Sequence, residues 1–219
     1  MKFIIGNEIT LTGASANLMR NLETHFTVEN PAYLEAEKMN RSTYGIKQHL
    51  SFFEYDQGSI ILPRGAARFI YDAACQHGSV EIIDKRLVLP MINLEFRGSL
   101  RAYQQQAVAG MLSKDFGVLE AGTGSGKTIM ALAIIAARQQ PALILVHTKE
   151  LLYQWRSQIQ QFLGVEAGLV GDGRFEVRAV TVAIVNTAKN RLDSLTERFG
   201  HVVVDEYATG CRPRCSAKW

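Results

Sequence analysis

The stretch "EAGTGSGKT", residues 120–128, decides how the rest of the chain is interpreted. It follows the apolar run "FGVLEA", which predicts a short buried strand, and it opens the run "KTIMALAIIAARQQ", which predicts a helix. Glycines at alternate positions let the backbone curl until several N–H groups point at one anion, and the helix N-terminus adds a positive partial charge. This order of strand, glycine loop and helix, with Lys-Thr at its end, predicts a phosphate-binding loop.

The chain from about residue 98 alternates between helical and strand-like runs. Helices are predicted from "LRAYQQQAVAGMLSK", "KTIMALAIIAARQQ" and "KELLYQWRSQIQQFL", and strands from "FGVLEA", "PALILVH", "RAVTVAIV" and "HVVVDE". Apolar strands separated by helices indicate an α/β fold whose parallel sheet is covered on both faces. We therefore assign residues 98–206 to one α/β lobe.

The first 97 residues predict a small α+β domain. "SANLMRNLETHF" carries apolar residues at helical spacing behind Ser15, a residue type that suits the N-cap. "HLSFFEYDQGSIILP" predicts two strands around a Gln57-Gly58 turn, and "EIIDKRLVLP" predicts a further pair. The expected organisation is an N-terminal domain over 1–97, the α/β lobe over 98–206 and a short tail over 207–219.

Composition adds little beyond the class of protein. The chain has 219 residues, 47% of them hydrophobic, and no apolar run approaches the length of a membrane span. Since the N-terminus also lacks the features of a signal peptide, a cytoplasmic protein without membrane contact is expected. The net charge of +3 comes entirely from the tail, and the spacing of Cys211 and Cys215 is a weak metal signal because no second pair exists.

Asp205 and Glu206 supply the expected counterpart of the phosphate loop. They follow the apolar run "HVVV" at the carboxyl end of a predicted strand, where parallel sheets place their ligands. Lys127 would reach the β- and γ-phosphates, while Thr128 and Asp205 would hold Mg²⁺. Glu206 would orient and deprotonate the attacking water. The expected cofactors are ATP and Mg²⁺, with the phosphates cradled by Gly122, Thr123, Gly124, Ser125 and Gly126.

Together these motifs resemble the first motor lobe of a superfamily 2 helicase of the DEAD/DEAH type, in the branch that contains the XPB and UvsW proteins. "AGTGSGKT" is similar to motif I of that family and "VVVDE" to motif II. "LRAYQQQAV" resembles the branch's "LRPYQ" element, which implies that Gln104 reads the adenine edge with support from Arg101. An ordinary amide on the helix surface is the alternative for Gln104. The resemblance implies a RecA-like P-loop fold.

The same resemblance implies contacts with nucleic acid. "LVHTKELLYQW" is similar to motif Ia, where Thr148 is the expected strand contact and Gln154 and Trp155 fall on motif positions. Core packing is the alternative for Trp155, because it lies in an apolar stripe of its helix. "VTVAIVNTA" resembles the following motif and places Thr187 there, although two of its neighbours depart from the family pattern. The pieces "NPAY" and "LPRG" resemble a DNA-engaging domain that precedes the motor in some relatives.

The tail after Glu206 departs from the family pattern. Back-translation of "YATGCRPRCSAKW", shifted by two nucleotides, permits Cys-His-Arg after Glu206, and this resembles the family's own continuation. We therefore expect a reading-frame shift at this point; a genuine, divergent C-terminus is the alternative. A chain truncated in this way would lack motif III and the second lobe with its arginine fingers, so we expect it to bind ATP weakly and not to unwind nucleic acid.

The sequence thus predicts the ATP-binding portion of an ATP-dependent DNA helicase or translocase. Its partner is expected to be nucleic acid, with DNA favoured, and the oligomeric state is left open. A motor fragment of a restriction or conflict-system enzyme is one alternative, which a nuclease or primase domain encoded nearby would favour. A non-catalytic nucleotide- or DNA-binding module is another, which ATP-independent DNA binding by residues 1–97 alone would favour.

Overall fold

The computed structural model describes residues 1–205 of the chain. Within that range the chain divides into two compact units, residues 1–86 and residues 87–205. None of the helices formed by these residues is long and apolar enough to cross a membrane. Each unit has its own sheet and its own apolar core, so the two are described separately.

The first unit is built on a five-stranded sheet in the order β5-β6-β2-β1-β7. Neighbouring strands run antiparallel except for β1 and β7, which run parallel. Its elements in chain order are β1 (Lys2–Ile5), β2 (Glu8–Thr12), α1 (Ala16–His25), β3 (Thr27–Glu29), α2 (Pro31–Lys38), β4 (His49–Ser51), β5 (Glu54–Asp56), β6 (Ser59–Pro63), α3 (Ala67–Cys75) and β7 (Glu81–Asp84).

Two local signals in the first unit work as the sequence predicts, and two segments differ from the prediction. The Ser15 hydroxyl accepts a hydrogen bond from the Leu18 N–H at the start of α1. Gln57 and Gly58, both at positive φ, form the turn between β5 and β6. "HLSFFEYDQGSIILP" forms three strands, β4, β5 and β6, rather than two. "EIIDKRLVLP" forms the single strand β7 rather than a strand pair. The last residues of that stretch, from Leu87 onward, already belong to the second unit.

The second unit carries a sheet in the order β10-β9-β11-β8-β12. Strands β9, β11, β8 and β12 are parallel, and β10 returns antiparallel along β9. Its elements are α4 (Ala102–Leu112), α5 (Lys127–Arg138), β8 (Ala142–Val146), α6 (Lys149–Leu163), β9 (Gly168–Gly171), β10 (Arg174–Glu176), β11 (Val180–Ile184), α7 (Val185–Lys189), α8 (Leu192–Leu195) and β12 (His201–Val204). This confirms the predicted α/β class with a parallel sheet.

Helices cover both faces of the second sheet. Ile144 and Val146 of β8 face a core to which α5 and α6 contribute, whereas Leu143 and Leu145 face a smaller core beside α7 and α8. All five residues of β8 are buried. A strand apolar on both faces is what a parallel sheet with two helical layers requires.

The predicted strand before the phosphate loop does not form. Residues 116–121 have no strand partner, and the Val118 side chain is 82% exposed. Leu119 and Ala121 still face the apolar cluster that includes Val108 and Met130, so the segment alternates its side chains as a strand would. A strand also needs a hydrogen-bonding neighbour, and among residues 1–205 the sheet ends at β12.

Candidate nucleotide-binding site

The glycine loop forms a tight backbone curl directly before α5. Gly124 and Gly126 both have positive φ, 77° and 83°, a region that side chains with a Cβ rarely enter. The Ser125 N–H donates to the Gly122 carbonyl, and Gly126 is the N-cap residue of α5. No side chain among the described residues caps this helix, so its first N–H groups remain available to an anion.

Two polar side chains within the loop have the character that a phosphate site requires. The Lys127 ammonium lies 2.9 Å from the Ala121 carbonyl oxygen and 3.3 Å from that of Gly122, so it stays beside the loop. The Ser125 hydroxyl is buried and makes no hydrogen bond within residues 1–205. A buried hydroxyl without a partner is costly unless a ligand satisfies it. The loop therefore fits a bound polyphosphate.

Helix α4 braces the loop from one side. The Tyr103 hydroxyl and the Gln104 amide both donate to the Ser125 carbonyl, at 2.9 and 2.8 Å. Gln104 is only 6% exposed, and its side-chain oxygen accepts from the Arg101 N–H at 2.9 Å. A Cβ on Gly126 would lie 2.5 Å from the Gln104 amide nitrogen, so the two residues fit closely. Sequence reasoning gave Gln104 a place in this site but missed Tyr103.

Three candidate functional segments meet at the carboxyl edge of the sheet. Thr148 follows β8, Thr187 lies in α7 directly after β11, and Asp205 follows β12. Since β8 lies between β11 and β12 in parallel register, these residues line one edge. The Asp205 N–H also donates to the Leu145 carbonyl at 2.9 Å, which fixes its backbone against β8. Parallel sheets bind their ligands at this edge.

The first turn of α6 is exposed and polar. The Thr148 hydroxyl caps the helix by accepting from the Leu151 N–H at 3.3 Å. The backbone N–H of Glu150 and the Thr148 hydroxyl hold the pKa of the Glu150 carboxyl below its usual value. Gln154 is exposed one turn further along, and Arg101 is exposed at the start of α4. Thr148 and Gln154 thus remain accessible to a ligand.

Trp155 connects α6 to the acidic strand end. Its indole N–H donates to Asp205 Oδ2 at 2.6 Å, although the two residues are fifty positions apart. The ring is 2% exposed and belongs to the larger core of the unit. The alternative of core packing is therefore correct for the ring. Sequence reasoning missed the hydrogen bond that the indole N–H donates to Asp205. The available signal was general: a buried indole N–H needs an acceptor.

Several expectations lie outside the residues that the structure describes. Glu206, the expected base for the attacking water, is one of them. The cysteines at 211 and 215, the basic tail and the expected reading-frame shift after Glu206 are the others. They stay predictions. The other candidate site residues all lie within the second unit: the residues of the glycine loop together with Lys127, Thr128, Arg101, Gln104, Thr148, Gln154, Thr187 and Asp205.

The fold and the site together define a class. A phosphate loop that opens a helix, together with an acidic residue at the end of a parallel strand, identifies a P-loop nucleotide-binding lobe of RecA-like fold. Residues 97–207 match the family described as "Type III restriction enzyme, res subunit". The chain belongs to this family.

Known proteins support this assignment. The chain is 32% identical over 118 residues to the DNA 3'-5' translocase XPB2 of Sulfurisphaera tokodaii, a match that covers 54% of the chain and 27% of that protein. It is 27% identical over 127 residues to the protein named "Probable helicase D10" of Escherichia phage T5, covering 58% of the chain and 28% of that protein. The predicted relationship to superfamily 2 helicases is confirmed.

The fold has a solved counterpart in the crystal structure of T4 UvsW. The two chains superimpose with a TM-score of 0.65 at 15% sequence identity, over 94% of this chain and 47% of UvsW. At this identity the likeness establishes the fold. The matched region spans little more than a quarter of the two relatives above. Family membership implies use of a nucleotide and binding to nucleic acid.

Proposed function

We propose that the second unit is the ATP- and Mg²⁺-binding lobe of a motor that couples ATP hydrolysis to movement along DNA. The observation that carries the proposal is the loop before α5. Two glycines hold left-handed conformations there, the Lys127 ammonium lies against the loop, and the Ser125 hydroxyl is buried without a partner. The unpartnered hydroxyl is costly unless a ligand satisfies it, and a curled loop with an ammonium beside a helix N-terminus suits a polyphosphate.

Each residue of the site has a role that follows from its position. The backbone N–H groups from Gly122 to Thr128 cradle the phosphates, and Lys127 moves from the loop carbonyls to the β- and γ-phosphates. Thr128 and Asp205 hold Mg²⁺, which neutralises charge on the transferring phosphoryl group. Glu206 orients the attacking water and accepts its proton.

Adenine and nucleic acid engage neighbouring surfaces of the same lobe. Gln104 presents the free capacity of its amide to the adenine edge, with Arg101 beside it at the start of α4. Thr148, Gln154 and Thr187 contact the nucleic-acid backbone, and the two threonines do so from the carboxyl edge of the sheet. Two of the relatives are named as a DNA translocase and a helicase, which favours DNA and movement along it.

Nucleotide binding by the chain tests the core of the proposal. We expect a fluorescent ATP analogue to bind with Mg²⁺ present, and Lys127→Ala to weaken binding about tenfold or more, because a charge-assisted contact to phosphate is lost. Lys149→Ala is the matched control, since Lys149 also stands at the first position of a helix and its side chain is exposed. Equal binding by wild type and Lys127→Ala would remove the proposed role of the loop.

The family description supports a second candidate. It names a restriction enzyme subunit, so the same lobe can also serve as the motor of a DNA-cleaving enzyme. Sequencing the coding DNA on both sides of this chain separates the candidates. A nuclease domain in the same reading frame or the adjacent gene favours the restriction enzyme, and a second motor lobe without a nuclease favours the translocase.

A further inference from the structure

Trp155 is the one aromatic side chain of the described chain whose polar atom bonds an acidic residue of the proposed nucleotide site. Its indole nitrogen lies 2.6 Å from Asp205 Oδ2, a short hydrogen bond to a charged acceptor. Among residues 1–205, this is the hydrogen bond that the Asp205 carboxylate accepts. The carboxylate is thus held through one oxygen, and Oδ1 is left to bind another ligand.

The donor is held rigidly. Trp155 is 2% exposed and packs in the stripe of α6 that also buries Leu152 and Ile159. That stripe faces β8 and β11 within the larger core. An indole with its ring fixed by packing has little freedom to turn, so its N–H direction is set before any ligand arrives.

The acceptor would otherwise be poorly fixed. Asp205 directly follows β12, the edge strand among the described residues, where Val202 and Val204 are 45% and 51% exposed. The backbone bond to the Leu145 carbonyl fixes the main chain of Asp205 but not its side-chain rotamer. The bond from Trp155 is the contact that fixes the orientation of the carboxylate.

We propose that Trp155 is a positioning residue for the Mg²⁺ of the bound nucleotide, acting by orienting Asp205 through its indole N–H. The inference rests on the proposed function, since it concerns the metal that accompanies ATP. Outer-shell donors of this kind fix ligand orientation, and their loss weakens metal binding. Trp155 itself does not contact the metal or the nucleotide.

The test separates metal dependence from nucleotide binding. Binding of a fluorescent ATP analogue is measured in EDTA and then along a Mg²⁺ titration, for wild type and for Trp155→Phe. We expect the EDTA affinity to change less than about twofold, and the Mg²⁺ concentration at half effect to rise about tenfold. A Mg²⁺ concentration at half effect equal to that of wild type would overturn the inference.

Two further variants keep the test independent of the cavity that phenylalanine leaves. Replacement of Trp155 by β-(3-benzothienyl)alanine keeps the ring size but removes the N–H donor, and it should raise the Mg²⁺ requirement as phenylalanine does. Tyr153→Phe is the matched control, because it removes an exposed bond of the same helix, from the Tyr153 hydroxyl to Asp172 at 2.7 Å. It should leave the Mg²⁺ requirement unchanged.

The outcomes distinguish failure of this inference from failure of the proposed nucleotide-binding function. A wild-type Mg²⁺ requirement in the benzothienyl variant would show that Trp155 acts only by packing and would overturn the inference alone. An equal shift in Tyr153→Phe would overturn it as well. Absence of nucleotide binding by the wild type, with or without Mg²⁺, would overturn the proposed function and the inference together.

Discussion

Two apolar runs of the second unit, residues 116–121 and β8, behave differently although their sequences look alike. "FGVLEA" and "ALILV" are both short, mostly apolar and close to a helix. Every residue of β8 is buried between β11 and β12, whereas Val118 of the first run is 82% exposed and forms no strand. The difference lies in the neighbours: β8 has a parallel strand on each side, and residues 116–121 have none within the described chain.

The comparison shows what an apolar pattern determines. It determines which side chains turn inward, since Leu119 and Ala121 still face the apolar cluster under α4 and α5. It does not supply the backbone partners that a strand requires. The phosphate loop is therefore approached by a segment that packs on one face, and it is held in place by hydrogen bonds from α4.

Truncating one side chain in each run should give the largest contrast. Ile144→Ala removes a fully buried side chain from the core of the sheet, and we expect a loss of about 3 kcal/mol in the free energy of unfolding. Val118→Ala should change that free energy by less than about 0.5 kcal/mol, because the side chain is exposed. Urea denaturation of the three proteins measures both. A loss above 1 kcal/mol for Val118→Ala would contradict the assigned exposure of residues 116–121.

Residues 89–94 show a third way to hold a segment that is not a strand. Gln139 exchanges two hydrogen bonds with the backbone of Leu94, at 3.0 and 2.6 Å, and Gln140 exchanges two with Leu89, both at 2.9 Å. Each side-chain amide acts here as a neighbouring peptide group would. Since Leu94 is 6% exposed, loss of the bonds would leave buried backbone groups without partners.

Removing these amide bonds should destabilise the unit less than Ile144→Ala does, and it should affect mainly residues 89–94. Gln139→Ala should lower the free energy of unfolding by about 2 kcal/mol, since it removes two bonds to a buried peptide. Hydrogen exchange of the Leu94 amide should accelerate, while that of Leu89 should not. Gln140→Ala is the matched control and should show the reverse pattern. Parallel acceleration of both amides in either variant would mean that the segment opens as one piece.

Much of the second unit could be predicted from the sequence because its signals are local or periodic. The bounds of α6 follow from its apolar stripe and the Thr148 cap, and β8, β11 and β12 follow from apolar runs. Strand formation at residues 116–121 could not be predicted correctly, because it depends on non-local pairing. The hairpin of β9 and β10 was missed, although its Asp172-Gly173 turn is a strong signal.

The candidate site likewise contains residues that the sequence predicts and contacts that it does not. Its glycines and Lys127 are recognisable because a phosphate loop is a contiguous motif. The bonds from Tyr103 to Ser125 and from Trp155 to Asp205 join residues 22 and 50 positions apart. No local pattern indicates such pairs, since they arise from the packing of α4 and α6 in the folded unit. Sequence alone therefore identifies the residues expected to touch phosphate more readily than those that hold them in place.

Gln104 is the residue with the smallest expected effect, because its side chain has two roles. It hydrogen-bonds the phosphate loop, and it is proposed to contact adenine. Gln104→Ala removes its bonds to Arg101 and Ser125, so it should weaken binding of ATP and GTP alike by a fewfold. Loss of an adenine contact should weaken ATP further, so the preference for ATP over GTP should narrow. Fluorescent analogues of both nucleotides measure this. Tyr103→Phe is the matched control, since it removes one bond to the same carbonyl and should lower both affinities equally.

The ratio of the two affinities decides between the roles of Gln104. An unchanged ratio in Gln104→Ala, with both affinities reduced, would leave Gln104 as a brace only and remove its proposed contact with adenine. The loop would then depend on α4 for its shape and on another residue for base selection. A reduced ratio in Tyr103→Phe as well would instead mean that the position of the loop itself sets base preference, because the hydroxyl that this variant removes bonds the Ser125 carbonyl of the loop.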